Sequence, residues 1–224
     1  MLRTVPRWLA GMALISWRYL WQTTPLHRSE ERGDETDLPP ELPTALVDER
    51  SLLADDGCGQ LFHRTFSVRI EDPAVDPATL IGTIRDDMNR AVPGEAARVC
   101  RNSGEPGRMC TGDEFTVHMP GPWNGPVRVV SCTEDSFRLA TLEGHLEAGL
   151  IEFRARPEDG VLRFEVEAWA RPSSPLVDLL YAKARLAKEM QLNMWVRCCL
   201  AAAALAGGRP RGGVTIRTRC VPAR

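Results

Sequence analysis

Apolar and polar positions change period several times along this chain. Leu61 to Ile70 mixes Phe62, Arg64, Phe66, Val68 and Ile70 with polar neighbours, which predicts a strand. Asp76-Pro77 then supplies an N-cap with proline at the first helical position. Leu80, Ile81, Ile84 and Met88 follow at helical spacing, and Pro93-Gly94 closes that helix. Strand patterns dominate after it: Ala96–Arg101, Glu114–Met119, Val127–Thr133, Ser136–Glu143, His145–Arg156 and Val161–Ala170. Asn124-Gly125 falls inside a turn-rich "PGPWNGP", and Glu158-Asp159-Gly160 makes a tight turn between the last two strands.

The period switches again at Pro175. Pro175 to Gly207 reads as one helix of about thirty residues. Leu176, Leu180, Ala187, Met190, Met194, Cys198 and Ala201 fall at steps of three, four and seven, one apolar stripe with Lys183 as its only charge. Gly207-Gly208 is the left-handed stop. Beyond it Val214, Ile216, Thr218 and Cys220 alternate with Thr215, Arg217 and Arg219, one more strand, on an edge. Strands joined by hairpins make an antiparallel sheet that is apolar on one face. The long helix is the element that covers such a face. The expected fold class is α+β: a curved antiparallel sheet wrapped around a long C-terminal helix, with a cavity between them and an extra N-terminal helix.

Three segments are expected. Residues 1–22 are expected as a Trp-rich helix, 23–58 as an acidic, Pro-rich connector, and 59–224 as the ligand-binding-like domain of sheet and long helix. Trp8, Trp17, Trp21 and Tyr19 crowd the first segment beside Arg3, Arg7 and Arg18. The fourteen residues Trp8 to Trp21, apolar but for Ser16 and Arg18, reach about 21 Å as a helix, short of a bilayer's hydrocarbon core. That leaves an interfacial contact with a membrane surface, or packing on the chain's own domain or a second copy. In the connector, ten Asp or Glu lie between Glu30 and Asp56 against Arg32 and Arg50, and a short helix is expected near Ala45 to Leu53. The net charge is −2, which gives no electrostatic footprint for nucleic acid. Seven cysteines without CxxC spacing suit reduced thiols and a cytoplasmic setting, with peripheral membrane contact as the alternative.

Candidate chemistry concentrates in Thr141 to Phe153. Strand alternation places His145, Glu147, Gly149, Ile151 and Phe153 on one face. A histidine and a glutamate two apart form an acid–base pair, and Lys183 on the helix can meet them. The alternative is a pair near a sheet end, solvated or bonded to backbone, with Lys183 reaching solvent along its stem. The expected catalytic set is therefore His145, Glu147 and Lys183. The expected ligand wall is Trp123, Ile151, Phe153, Phe164, Val166, Leu180, Lys183, Ala187, Met190 and Met194. Alternation turns Trp169 outward, so Trp123 is the better gate. His63, His118 and His145 stand on separate strands without HxH or HExxH spacing, so neither a metal nor another cofactor is expected.

This order of elements over Gly59 to Gly207 resembles the START/SRPBCC helix-grip superfamily. The run Thr141-Leu142-Glu143-Gly144-His145-Leu146-Glu147-Ala148-Gly149, with Phe153, looks like a TLxGHxExG signature of a branch of unknown function. The resemblance implies a hydrophobic or amphipathic small molecule, or a lipid, held between sheet and helix. Two other classes compete with simple binding. One is a cyclase- or hydratase-like enzyme using His145 and Glu147, with Lys183 stabilising an enolate. The other is an interaction module docking through residues 1–22.

Overall fold

The computed structural model describes residues 24–94, 97–119, 124–175, 177 and 185–222. Among these, one sheet runs in the order β1-β9-β2-β8-β7-β6-β5-β4-β3. Its strands are β1 (Leu26–Arg32), β2 (Leu61–Glu71), β3 (Arg98–Arg101), β4 (Glu114–His118), β5 (Asn124–Cys132), β6 (Ser136–Thr141), β7 (Glu147–Glu158), β8 (Val161–Pro172) and β9 (Arg209–Val221). Helix α1 spans Pro77–Asp86 and α2 spans Arg185–Leu205. The α+β class and the sheet-on-helix layering are as the sequence predicts.

The Asp76 side chain accepts the Thr79 N–H at 2.7 Å, and Pro77 follows, so the cap read from sequence starts α1. At the other end of the domain Gly207 stops α2 at φ +68°, where a β-carbon would also press on Ala74. The Ala74 N–H donates to the Ala206 carbonyl at 2.7 Å, which ties this end of α2 to the loop after β2. From that anchor α2 runs back across β2, β8 and β9.

The main core lies between the sheet and the two helices. Phe66, Val68 and Ile70 of β2 meet Phe164 and Val166 of β8, with Phe137 and Phe153 stacked at 4.7 Å. Leu192, Val196, Cys198, Cys199, Ala202, Ala203 and Ala206 are buried on α2, so Cys198 of the expected stripe lies in the core while the rest of the buried face is shifted from it. Met194 and Ala201 keep accessible surface, and Met194 lies about 160° around the helix from both Leu192 and Val196. The reason is compositional: between Cys198 and Ala206 the helix is apolar nearly all round, so periodicity alone admits more than one stripe. Burial pushes the Cys198 thiol up to about 12, as suits a small core hydrophobe.

Three further expectations change. The last strand is not an edge: β9 sits between β1 and β2, and β1 pairs with it in parallel, so the sheet is not purely antiparallel. Strand β1 is the acidic LHRSEER, which no apolar alternation announces. Nor does a helix form near Ala45 to Leu53; short 3-10 turns occur at Thr44–Leu46 and Ala54–Asp56 instead. This segment lies on the outer face of the sheet. Leu38, Leu42, Leu46 and Leu53 pack with Ala54 on Leu61, Val130, Ala140, Leu150 and Trp169. Trp169 does turn outward, but it is 6% exposed beneath that cover.

The candidate site on the helix-facing sheet wall

Register fixes which side chains face α2. Phe62, Arg64, Phe66, Val68 and Ile70 alternate on one side of β2, and the last three belong to the main core. Arg64 pairs across the sheet with Ala168 of β8 on one side and Thr218 of β9 on the other. Ala168 in turn faces Ile151, and Ala170 faces Gly149. The helix-facing wall therefore has two unlike halves. Towards Gly207 it is filled by Phe66, Val68, Phe153, Phe164 and Val166 against the small side chains of α2. Towards the start of β2 it carries the small Gly149, Ala168 and Ala170 beside Phe62, Ile151, Thr218 and the Arg64 guanidinium.

Arg64 is 2% exposed. Its guanidinium carbon lies 4.5 Å from the centre of the Phe62 ring, a cation–π contact. Thr218, 4% exposed, flanks it on β9. Arg64 thus sets a guanidinium among the small side chains of this wall. Sequence reading placed Arg64 in the strand without assigning it a role. The parity it shares with Phe66, Val68 and Ile70 was the available signal.

The predicted site residues divide as follows. Ile151, Phe153, Phe164 and Val166 all face α2, with Phe153, Phe164 and Val166 in the closed half and Ile151 opposite Ala168. Phe153 also meets Trp195 of α2 edge-on at 5.7 Å. Met194 packs half-buried against the main core. Trp123, Leu180 and Lys183 lie outside the described residues, as do the side chains of Ala187 and Met190 and the Trp-rich stretch 1–22.

His145 precedes β7 rather than lying in it. His145 Nδ1 lies 2.9 Å from both the main-chain nitrogen and the carbonyl oxygen of Glu147. His145 thus meets Glu147 through the main chain, and the Glu147 carboxylate acts on the ring through its charge. Desolvation pulls the imidazole pKa below its ordinary value; the Glu147 charge and the backbone bond oppose it without prevailing. The ring lies against Gly125, where a β-carbon would come within 2.8 Å of Nε2. A neutral, main-chain-bonded histidine corresponds to the alternative weighed from sequence.

The other histidines sit elsewhere. His118 Nδ1 lies 3.0 Å from Asn124 Oδ1. His63 is on the outer face, stacked on Trp169 at 5.1 Å. Its ring nitrogens are each 2.8 Å from a carboxylate, Asp37 in the cover and Glu167 on β8. Among the described residues no three His, Cys, Asp or Glu side chains gather closely enough to hold a metal ion. An open cleft of about 570 Å³ lies between the start of α1 and the β5–β6 turn, lined by Asp76, Glu134 and Asp135 among others; it is a surface recess, away from the wall under α2. No described helix is long and apolar enough to cross a membrane.

Comparison with known proteins agrees with this architecture. The chain is similar to the di-domain ARO/CYC StfQ of the steffimycin biosynthetic pathway, at 12% identity and a TM-score of 0.50. The likeness covers 69% of this chain and 52% of StfQ, so the chain spans about half of that protein's length. It is similar also to the hypothetical protein jhp0584 from Helicobacter pylori, at 11% identity and a TM-score of 0.50, over 74% of this chain and 95% of that one. At these identities the likeness is one of fold, the helix-grip arrangement. No curated protein matches the chain. Residues 90–201, half of the chain, match the family model described as domain of unknown function DUF1990, a range that takes in β3 to β8 and most of α2. The chain belongs to the DUF1990 family.

Proposed function

We propose that this protein binds a hydrophobic or amphipathic small molecule between its sheet and the long helix, at the end of the wall nearest the start of β2. The observation that carries this reading is the change in side-chain size along one surface. Large rings and branched chains close the half towards Gly207, whereas Gly149, Ala168 and Ala170 line the other half. Small residues on a wall give room to a ligand, and apolar walls with few polar groups are the common composition of ligand pockets. The helix-grip fold supports the reading, since StfQ, an ARO/CYC of a biosynthetic pathway, has this fold.

Fluorescence titration with N-phenyl-1-naphthylamine tests the location. The wild-type chain is expected to bind the dye with a blue shift. Ala168→Leu adds three carbons to the wall and is expected to weaken binding about tenfold, the scale of a modest overpacking cost. A dye that ignores the folded protein, or binds the variant equally well, refutes this placement.

A further inference from the structure

We infer that this protein pairs with a second copy of itself along β1, in an antiparallel register centred on Ser29. Strand β1 is the outermost strand among the described residues and runs parallel to its neighbour β9. His27 to Arg32 are all exposed. The Pro25 carbonyl accepts the Val214 N–H at 3.0 Å, and the Gly33 N–H donates to the Cys220 carbonyl at 2.9 Å. Alternation between these two bonds turns the backbone groups of Leu26, Arg28, Glu30 and Arg32 away from β9, towards the open side. A row of such groups is a template for another strand. The opposite edge of the sheet is better guarded: β3 has 4 residues, with an arginine at each end.

The edge sequence selects its partner. LHRSEER carries His27 and Arg28 before Ser29, and Glu30 and Glu31 after it. A two-fold axis at Ser29 sets Arg28 opposite Glu30, His27 opposite Glu31 and Leu26 opposite Arg32, each pair occurring twice. The same register matches outward-facing residues with outward-facing residues, as an antiparallel ladder requires. An axis at Arg28 would oppose the two copies of Arg28. An axis at Glu30 would oppose the two copies of Glu30 and set Arg28 against Arg32. Like charges directly opposite repel, so the Ser29 register is favoured over its neighbours. The pairing needs no vacant side chain. His27 Nε2 lies 2.9 Å from the Gly212 carbonyl oxygen, Arg219 donates to Glu31 at 2.6 Å, and Arg28 and Glu30 also have partners within the chain. Backbone groups form the ladder, and the charges choose its register. An edge this short buries a modest area, so the dimer is a weak, concentration-dependent one.

Sedimentation velocity of the full chain, from low micromolar to a few hundred micromolar, tests this. The wild type is expected to shift from monomer to dimer across that range. Arg28→Glu and Glu30→Arg, each checked for folding by circular dichroism, are each expected to weaken the dimer at least about tenfold, since like charges then meet at two positions. An equimolar mixture of the two variants is expected to recover wild-type association, because every cross-strand pair of residues 28 and 30 again joins opposite charges. A wild type that stays monomeric throughout overturns the proposal. So does a folded variant that dimerises as tightly as the wild type, which places self-association elsewhere, residues 1–22 included. Loss in both variants without recovery in the mixture overturns the register. If either variant fails to fold, Ser29→Glu replaces it, setting two carboxylates against each other on the axis; an unweakened dimer there overturns the proposal too.

Discussion

At the scale of single residues, the outer face of the sheet holds a charge arrangement as specific as the inner one. His63 bridges Asp37 and Glu167, and each carboxylate is itself bonded to an arginine: Arg219 to Asp37 at 3.2 Å and Arg154 to Glu167 at 2.7 Å. With a carboxylate at each nitrogen, the ring is held as imidazolium. Burial alone would lower its pKa, but the bonds to Glu167 and Asp37 and their charges outweigh burial and leave it raised. A raised folded-state pKa stabilises below the unfolded value near 6.5 and loses that stability as pH climbs through the folded value. The carboxylates act oppositely: Asp37 and Glu167 are both lowered, so their contribution fades in acid. His63→Asn is therefore expected to cost about 2 kcal/mol near pH 6 and progressively less in alkali. Urea unfolding across pH measures it, and a cost that grows with rising pH contradicts the bridged imidazolium.

At the scale of elements, the segment from Asp34 to Gly57 behaves as a cover for the sheet. Its leucines meet Trp169 and Leu150, and the Leu52 carbonyl accepts the Gly149 N–H at 3.0 Å. Trp169→Ala is expected to destabilise the chain by about 3 kcal/mol and to open the cover to limited proteolysis between residues 34 and 57. Unchanged cutting there would show that the cover is held by its backbone bonds alone. This layer marks the limit of sequence reading. The core strands were legible because alternation is visible in Leu61–Ile70 and Val161–Ala170. The cover was not, because its leucines are spaced by prolines and acids and match neither period. Strand β1 was invisible for a related reason: its acidic residues are set against a basic partner strand far along the chain, as in the bond of Arg219 to Glu31. Over its described residues helix α2 was readable as a helix with a glycine stop but not in orientation, since alanine and cysteine on several sides leave its buried face to be chosen by the sheet.

At the scale of the whole molecule, one sheet serves two surfaces of different character. The outer surface is a layer of ion pairs and leucines under the cover, and the inner surface is an apolar wall under α2 with Arg64 at one end. The candidate site was half legible. Ile151, Phe153, Phe164 and Val166 face inward as alternation predicts, whereas Arg64 passed unassigned because a charged residue in a strand reads as solvent-facing. His145 misled in the opposite direction, since proximity to Glu147 in sequence does not reveal that the bond goes to main chain. Native mass spectrometry of the protein isolated from its own host tests the binding function most directly. The expected result is a discrete non-covalent adduct, extractable into organic solvent and depleted in Ala168→Leu. A folded chain that carries no adduct, and gains none when offered aliphatic acids, alcohols or polycycles, would contradict it.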